Sequence, residues 1–432
     1  MGVEVRIMSS YSHVTPEMAI LFACGQSVRN EAFEDRFTRH ATGMTYSRGR
    51  ACLYPATSHL TGLLSRPIDW NLLLRLAHQH HMIPLLSLHL QKAAATDAIP
   101  TTFRKALHEA NVRNSSRNLL IVRQLLLILT ALKRAGVHAI PIKGPVLAQQ
   151  AFGSIALRSF SDIDLLIAGD DLGSARHVLT QLGYQDRETR SRQGNDVHRN
   201  VYYEHGMINA DLPLEVELHY QLDWPCCESK GEIAAIINRA QTMSLCGTTV
   251  PTLSPEDQFL YLAFHGAKHL WTRLEWLCCL AELVRHSSTG STTSIDWDIV
   301  ESRTRTRGYR HIVTVALLLT QQVCGTSIPD ALGSLVANDR LGQNMAKVIF
   351  NRSFAAQAAM SPFDQFKYNL KFRGSALDRA KYFWMRVMTP TELDLNAIPN
   401  HLHPLLPAIR PFRITSDFAH RTARSLMKRL RA

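Results

Sequence analysis

The chain has 432 residues, a formal net charge of +12, and 46% hydrophobic against 19% charged residues. That composition excludes a disordered chain, and the length suffices for one or two substantial cores. The eight cysteines include the adjacent pairs Cys226-Cys227 and Cys278-Cys279 but no Cys-x-x-Cys, which argues against a zinc or redox motif.

Residues 1–60 read as an irregular N-terminal extension, with Ser, Thr, Gly and Pro scattered among short apolar pieces. The N-terminus carries Glu4 and Arg6 and lacks a signal-peptide core. No apolar run is long enough to span a bilayer, since 119–132 is interrupted by Arg123 and Gln124. A cytoplasmic protein without a transmembrane segment is expected. Residues 61–135 predict helices; the last, 117–134, closes with Lys133, Arg134 and Gly136, a helix stop.

An α/β core is expected over 136–225. Residues 137–142 predict a strand, with Pro141 marking an edge or bulge. Lys143-Gly144-Pro145 then leads into a helix ending near Phe152. A strand that passes through Gly into a helix N-terminus presents free N–H groups suited to phosphate, and Lys143 adds a charge there. Gly153-Ser154 follows that helix instead of opening it.

Ser161-Asp162-Ile163-Asp164-Leu165-Leu166-Ile167 predicts a strand that projects two carboxylates from one face. Neighbouring acids repel, and burying either one uncompensated is costly; a divalent cation relieves both problems. A helix beginning near Leu172 stops at Gly183-Tyr184. A strand is expected over 198–204, then a turn-rich connection through Gly206 and Asn209. In 214–220 a period-2 pattern sets Glu215, Glu217 and His219 on one face and Leu214, Val216 and Leu218 on the other. Asp162, Asp164 and one of the two glutamates can therefore meet at one point beside a helix N-terminus. Metal-assisted nucleotidyl transfer needs such a set of acids.

From 226 to 400 the pattern is helical again, broken by a Ser-rich loop at 287–294. His265 and His269 lie four apart on a helix beside Lys268, without the Glu of a metalloprotease motif. These three residues, with Arg273, are candidates for lining a nucleotide cleft, and His219 for orienting Glu217. Residues 401–432 form a basic tail, with a candidate amphipathic helix over 421–431 but no recognised nucleic-acid-binding motif.

The order strand-Lys-Gly-helix, Arg158, Ser-Asp-Ile-Asp-Leu-Leu, helix-Leu-Gly-Tyr and Val-Glu-Leu-His resembles the uncharacterised bacterial nucleotidyltransferase family of the polymerase-β-like superfamily. Asp69-Trp70 to Leu85-Leu86, Leu253 to Asp257 and His265 to Trp271 extend the likeness, from about residue 60 to about 412. The resemblance implies an α+β fold, a small mixed sheet flanked by N- and C-terminal helical regions. It implies that Asp162, Asp164 and Glu217 are the catalytic, metal-binding acids. Lys143-Gly144 stands where the superfamily has Gly-Ser, and Arg158 matches the basic residue before the acidic pair; these three would bind nucleotide. Mg²⁺ or Mn²⁺ and a nucleoside triphosphate such as ATP are expected, with a small metabolite or peptide as acceptor and nucleic acid less favoured. Two alternatives follow: a catalytically degenerate nucleotide-binding or interaction protein, motivated by the missing Gly-Ser, and an RNA-modifying transferase, motivated by the charge.

Overall fold

The structure is a computed structural model that describes residues 14–26, 56–93, 98–187, 204–209, 211–212, 214–222, 230–287, 294–306, 308–355, 360–388, 405 and 408–410. Of the basic tail at 401–432, all but residues 405 and 408–410 lies outside the described residues, as do residues 198–203 of the expected strand.

Among the described residues five helices come first: α1 (Pro16–Gly25), α2 (Ala56–Leu64), α3 (Trp70–Gln79), α4 (Ile83–Lys92) and the 34-residue α5 (Thr101–Arg134). α1 falls in the stretch expected to be irregular. Thr15 caps it by accepting a hydrogen bond from the Met18 amide, and Pro16 begins it. Met18, Ile20, Leu21 and Phe22 are all buried, so no amphipathic stripe marks this helix in the sequence.

The sheet region contains β1 (Ile140–Pro141), α6 (Gly144–Phe152), β2 (Asp162–Leu166), α7 (Leu172–Gln181), β3 (Tyr184–Asp186), β4 (Glu204–Asn209) and β5 (Glu215–His219). Their order across the mixed sheet is β1-β2-β5-β4-β3. β2 and β5 pair in parallel at the centre, and every other pairing is antiparallel. The turn expected through Gly206 and Asn209 is instead strand β4. A Cβ on Gly206 would stand 3.0 Å from both the Arg187 guanidinium carbon and Glu215 Oε1, so glycine leaves room for Arg187 to cross the strand.

Next come α8 (Lys230–Asn238), the hairpin β6 (Gln241–Leu245) and β7 (Thr248–Thr252), and then helices α9 (Pro255–Lys268), α10 (Leu274–Ser287), α11 (Trp297–Thr306), α12 (Arg310–Cys324), α13 (Asp330–Ala337), α14 (Arg340–Phe350), α15 (Pro362–Lys371) and α16 (Ala376–Met388). The hairpin interrupts a stretch expected to be helical. Ser254 caps α9, accepting from the Asp257 amide while its hydroxyl donates to the Asp257 carboxylate. Arg239 and Arg303 both pair with Asp257, fixing that helix start to α8 and α11.

Two apolar cores result. The sheet core packs Ile163, Leu165, Val216, Leu218 and Met207 on one face of the sheet against Ile121, Leu125, Ile128 and Leu132 of α5 and Ala175 and Leu179 of α7. The helical core gathers α1 to α4, α9, α10, α12 and α14. α5 belongs to both, contributing Phe103 and Leu107 to the helical core and its second half to the sheet core. α6 does the same, with Leu147 and Phe152 on one side and Val146 and Ala148 on the other. By length and composition α5 is long and apolar enough to cross a membrane. A third of its most apolar window is buried, and the buried residues pack against sheet and helices.

Candidate active site

The second face of the sheet carries the acids. Asp162 pairs with Glu215 and Asp164 with Glu217 across the parallel β2–β5 ladder, and His219 lies next along the same face. This face meets the helical body, and a cavity of about 280 Å³ lies between them. Asp162, Asp164, Glu204, Glu217 and His219 form its acidic wall. His81, Lys268, His269, Arg273 and Trp276 face it from helix ends and turns.

Asp164 is the most constrained of these groups, buried with its side chain 1% exposed. Lys143 Nζ lies 2.8 Å from its Oδ1, and His219 Nε2 lies 3.1 Å from the same oxygen. Burial opposes ionisation, but Lys143 and His219 outweigh it and hold the Asp164 carboxyl well below the usual carboxylate range. Its Oδ2 is buried without a hydrogen-bond partner among the described residues. Asp162 behaves in the opposite way: burial, then the neighbouring Asp164 charge, raises its carboxyl, only partly offset by Lys143.

His219 Nε2 also lies 3.4 Å from Glu217 Oε2. Carboxylates only accept, so an Nε2–H donor satisfies both neighbours. His219 thus holds the two acids together. Ligand atoms of Asp164, Glu217 and His219 all lie within 4.8 Å of one another, a spacing able to hold a metal ion. With its Nε2–H donated, His219 leaves the carboxylate oxygens as ligands, and an oxygen set suits Mg²⁺ or Mn²⁺. The partnerless Asp164 oxygen fits such an ion as well.

Glu215 does not line the cavity. It pairs with Arg187, which also stands 3.7 Å from Glu217. Lys143 stands at the N-cap position of α6 without a side-chain capping bond, and Gly144 takes φ +60, as the close turn requires, but the Lys143 ammonium is engaged by Asp164. Arg158 is buried and pairs with Glu275 at the start of α10. The Asn118 amide donates to the Arg158 and Ile155 carbonyls at 2.8 and 2.7 Å, so α5 fixes the loop that enters β2. Gly153-Ser154 only ends α6 and caps a short turn.

His265, Lys268 and His269 do line the cavity. His265 packs edge-on to Trp276 with ring centroids 5.0 Å apart, and His269 lies 5.4 Å from the same ring. Sequence patterning missed His81, Glu204, Glu275 and Trp276. None belongs to a local motif: Glu204 is placed by the pairing of β4 with β5, and the other three by tertiary packing.

Sheet order, paired acids and helical flanks together define an α+β protein with an acid-lined cavity. A family model described as an uncharacterised nucleotidyltransferase matches residues 66–325, more than half of the chain, and the protein belongs to that family. The family supports nucleotidyl transfer as the general activity. No curated protein and no solved structure matches the chain.

Proposed function

We propose that the protein transfers a nucleoside monophosphate from a nucleoside triphosphate to an acceptor hydroxyl or phosphate and releases pyrophosphate. The observation that carries this is the Asp164–Glu217 pair across parallel strands, with one buried Asp164 oxygen lacking a partner. Asp162, Asp164 and Glu217 would hold Mg²⁺ or Mn²⁺, which supplies charge neutralisation at the phosphates. Glu217 accepts the proton of an acceptor hydroxyl as the new O–P bond forms and the bond to the β-phosphate oxygen breaks. His219 keeps Asp164 and Glu217 in register. Lys143 meets the phosphate nearest the acids. The small cavity supports a small metabolite or a peptide side chain as acceptor.

Incubation with α-labelled triphosphates and candidate acceptors tests this. Asp162→Asn and Asp164→Asn should each abolish label transfer and pyrophosphate release while leaving the fold intact; full activity in both variants overturns the proposal. A second possibility, a protein that binds nucleotide without turning it over, is favoured by Lys143 occupying Asp164. Nucleotide binding with no pyrophosphate release on any acceptor would select it.

A further inference from the structure

The cations around the cavity are unequally committed. Lys143 is matched by Asp164, Arg158 by Glu275, and Arg187 by Glu215. Arg273 has no carboxylate partner among the described residues; its guanidinium carbon lies 5.2 Å from the Trp276 ring centroid. It is exposed yet lines the cavity, immediately before the N-terminus of α10. Stacking on an indole leaves the edge of the guanidinium, with its N–H donors, open to a planar or tetrahedral anion.

The turn that carries Arg273 is built with care. Leu270 and Trp271 are consecutive non-glycine residues with φ +54 and +46, a left-handed backbone that L side chains adopt only under the constraint of their surroundings. Trp271 is fully buried, and it fits because Gly266 has no side chain; a Cβ there would overlap the indole. This geometry sets Lys268 and His269 at the end of α9 and Arg273 at the start of α10 around one edge of the cavity. His81, also at positive φ (58), lines the cavity as well and feels the Arg273 charge.

We infer that this α9–α10 turn is the site for the terminal phosphates of the nucleotide, with Arg273 as the principal anion contact and Lys268 beside it. The tail of the triphosphate is then gripped by the helical wall, and the Lys143-Gly144 turn serves only the phosphate at the acids. The inference rests on the proposed reading only in taking the polyphosphate to be part of a nucleoside triphosphate. The leaving pyrophosphate remains in this subsite after transfer.

Isothermal titration of inorganic tripolyphosphate and pyrophosphate into the full chain, in chelator and without metal, tests it independently of any transfer reaction. The wild type should bind tripolyphosphate in a salt-sensitive manner. Arg273→Ala with Lys268→Ala should weaken binding at least tenfold, and Arg273→Lys should restore part of it. Arg273 is exposed, so the variant keeps its fold, which circular dichroism checks. No binding by the wild type, undiminished binding by the double variant, or loss on Lys143→Met alone overturns the inference. If no acceptor is ever modified but tripolyphosphate binding depends on Arg273, transfer fails and the subsite stands.

Discussion

The two walls of the cavity are made by different rules. The acidic wall is a run of alternating side chains on three hydrogen-bonded strands, so its geometry follows from strand pleat and register. The facing wall comes from separate places: the turn after α3, the end of α9 and the start of α10. Its residues meet only because the helical core packs them together. Strand chemistry is thus written locally, whereas the helical wall is a product of tertiary structure. The walls also differ electrostatically. The acids are compensated by the Lys143 and Arg187 cations and by the N–H of His219, while Arg273 leans on an aromatic face.

The strongest test of this contrast is the link between the walls. Arg158 comes from the sheet side and Glu275 from α10, and both are buried. Cys279 Sγ adds a donor to Glu275 at 3.1 Å. Glu275→Ala should cost about 3–5 kcal/mol in denaturant unfolding, because it strands a buried guanidinium. A loss below about 1 kcal/mol would mean that the two walls are not joined here.

A cavity in the sheet core comes next. Leu218→Ala should cost about 2–5 kcal/mol. Because α5 and α6 belong to both cores, unfolding should remain a single transition that both far- and near-ultraviolet signals follow together. Separate transitions would show two independent bodies instead.

Acid should weaken the whole fold through groups that lie on its helical side. Burial lowers the imidazoles of His80 and His89 to about 4. The unfolded chain therefore takes up protons first. Stability from these groups is fully present above about 6.5 and is lost as pH falls from there towards 4, each unit of difference being worth about 1.4 kcal/mol. Replacing both with Gln should flatten the fall in melting temperature between pH 7 and 4.5; an unchanged slope would assign it to other groups.

Gly266→Ala should cost about 1–3 kcal/mol by overpacking against Trp271, and it should weaken tripolyphosphate binding through the displaced turn. The smallest effect is expected on the exposed face of α5: Leu119→Gln should change stability by no more than about 0.5 kcal/mol.

The same contrast explains what the sequence made legible. The Asp162-Ile163-Asp164 and Glu215-Val216-Glu217 alternations announced the acidic face, and Lys143-Gly144 announced the turn into α6. Glu215 looked equivalent to Glu217, but Arg187 draws it away from the cavity, through a crossing that only Gly206 permits. That same glycine disguised β4 as a turn. α1 lacks an amphipathic pattern because it is buried on nearly all sides; its Thr15-Pro16 start was the available signal. Arg158 carried the expected position before the acids, yet its charge serves Glu275. No local pattern could have announced Glu275 or Trp276.

The most direct measurement is titration of nucleoside triphosphates, with and without Mg²⁺ or Mn²⁺, into the wild type and into Asp164→Asn. Binding that requires the metal in the wild type and is lost in a folded Asp164→Asn variant is the predicted result. Equal, metal-independent binding by both proteins would contradict a metal–nucleotide site on these carboxylates.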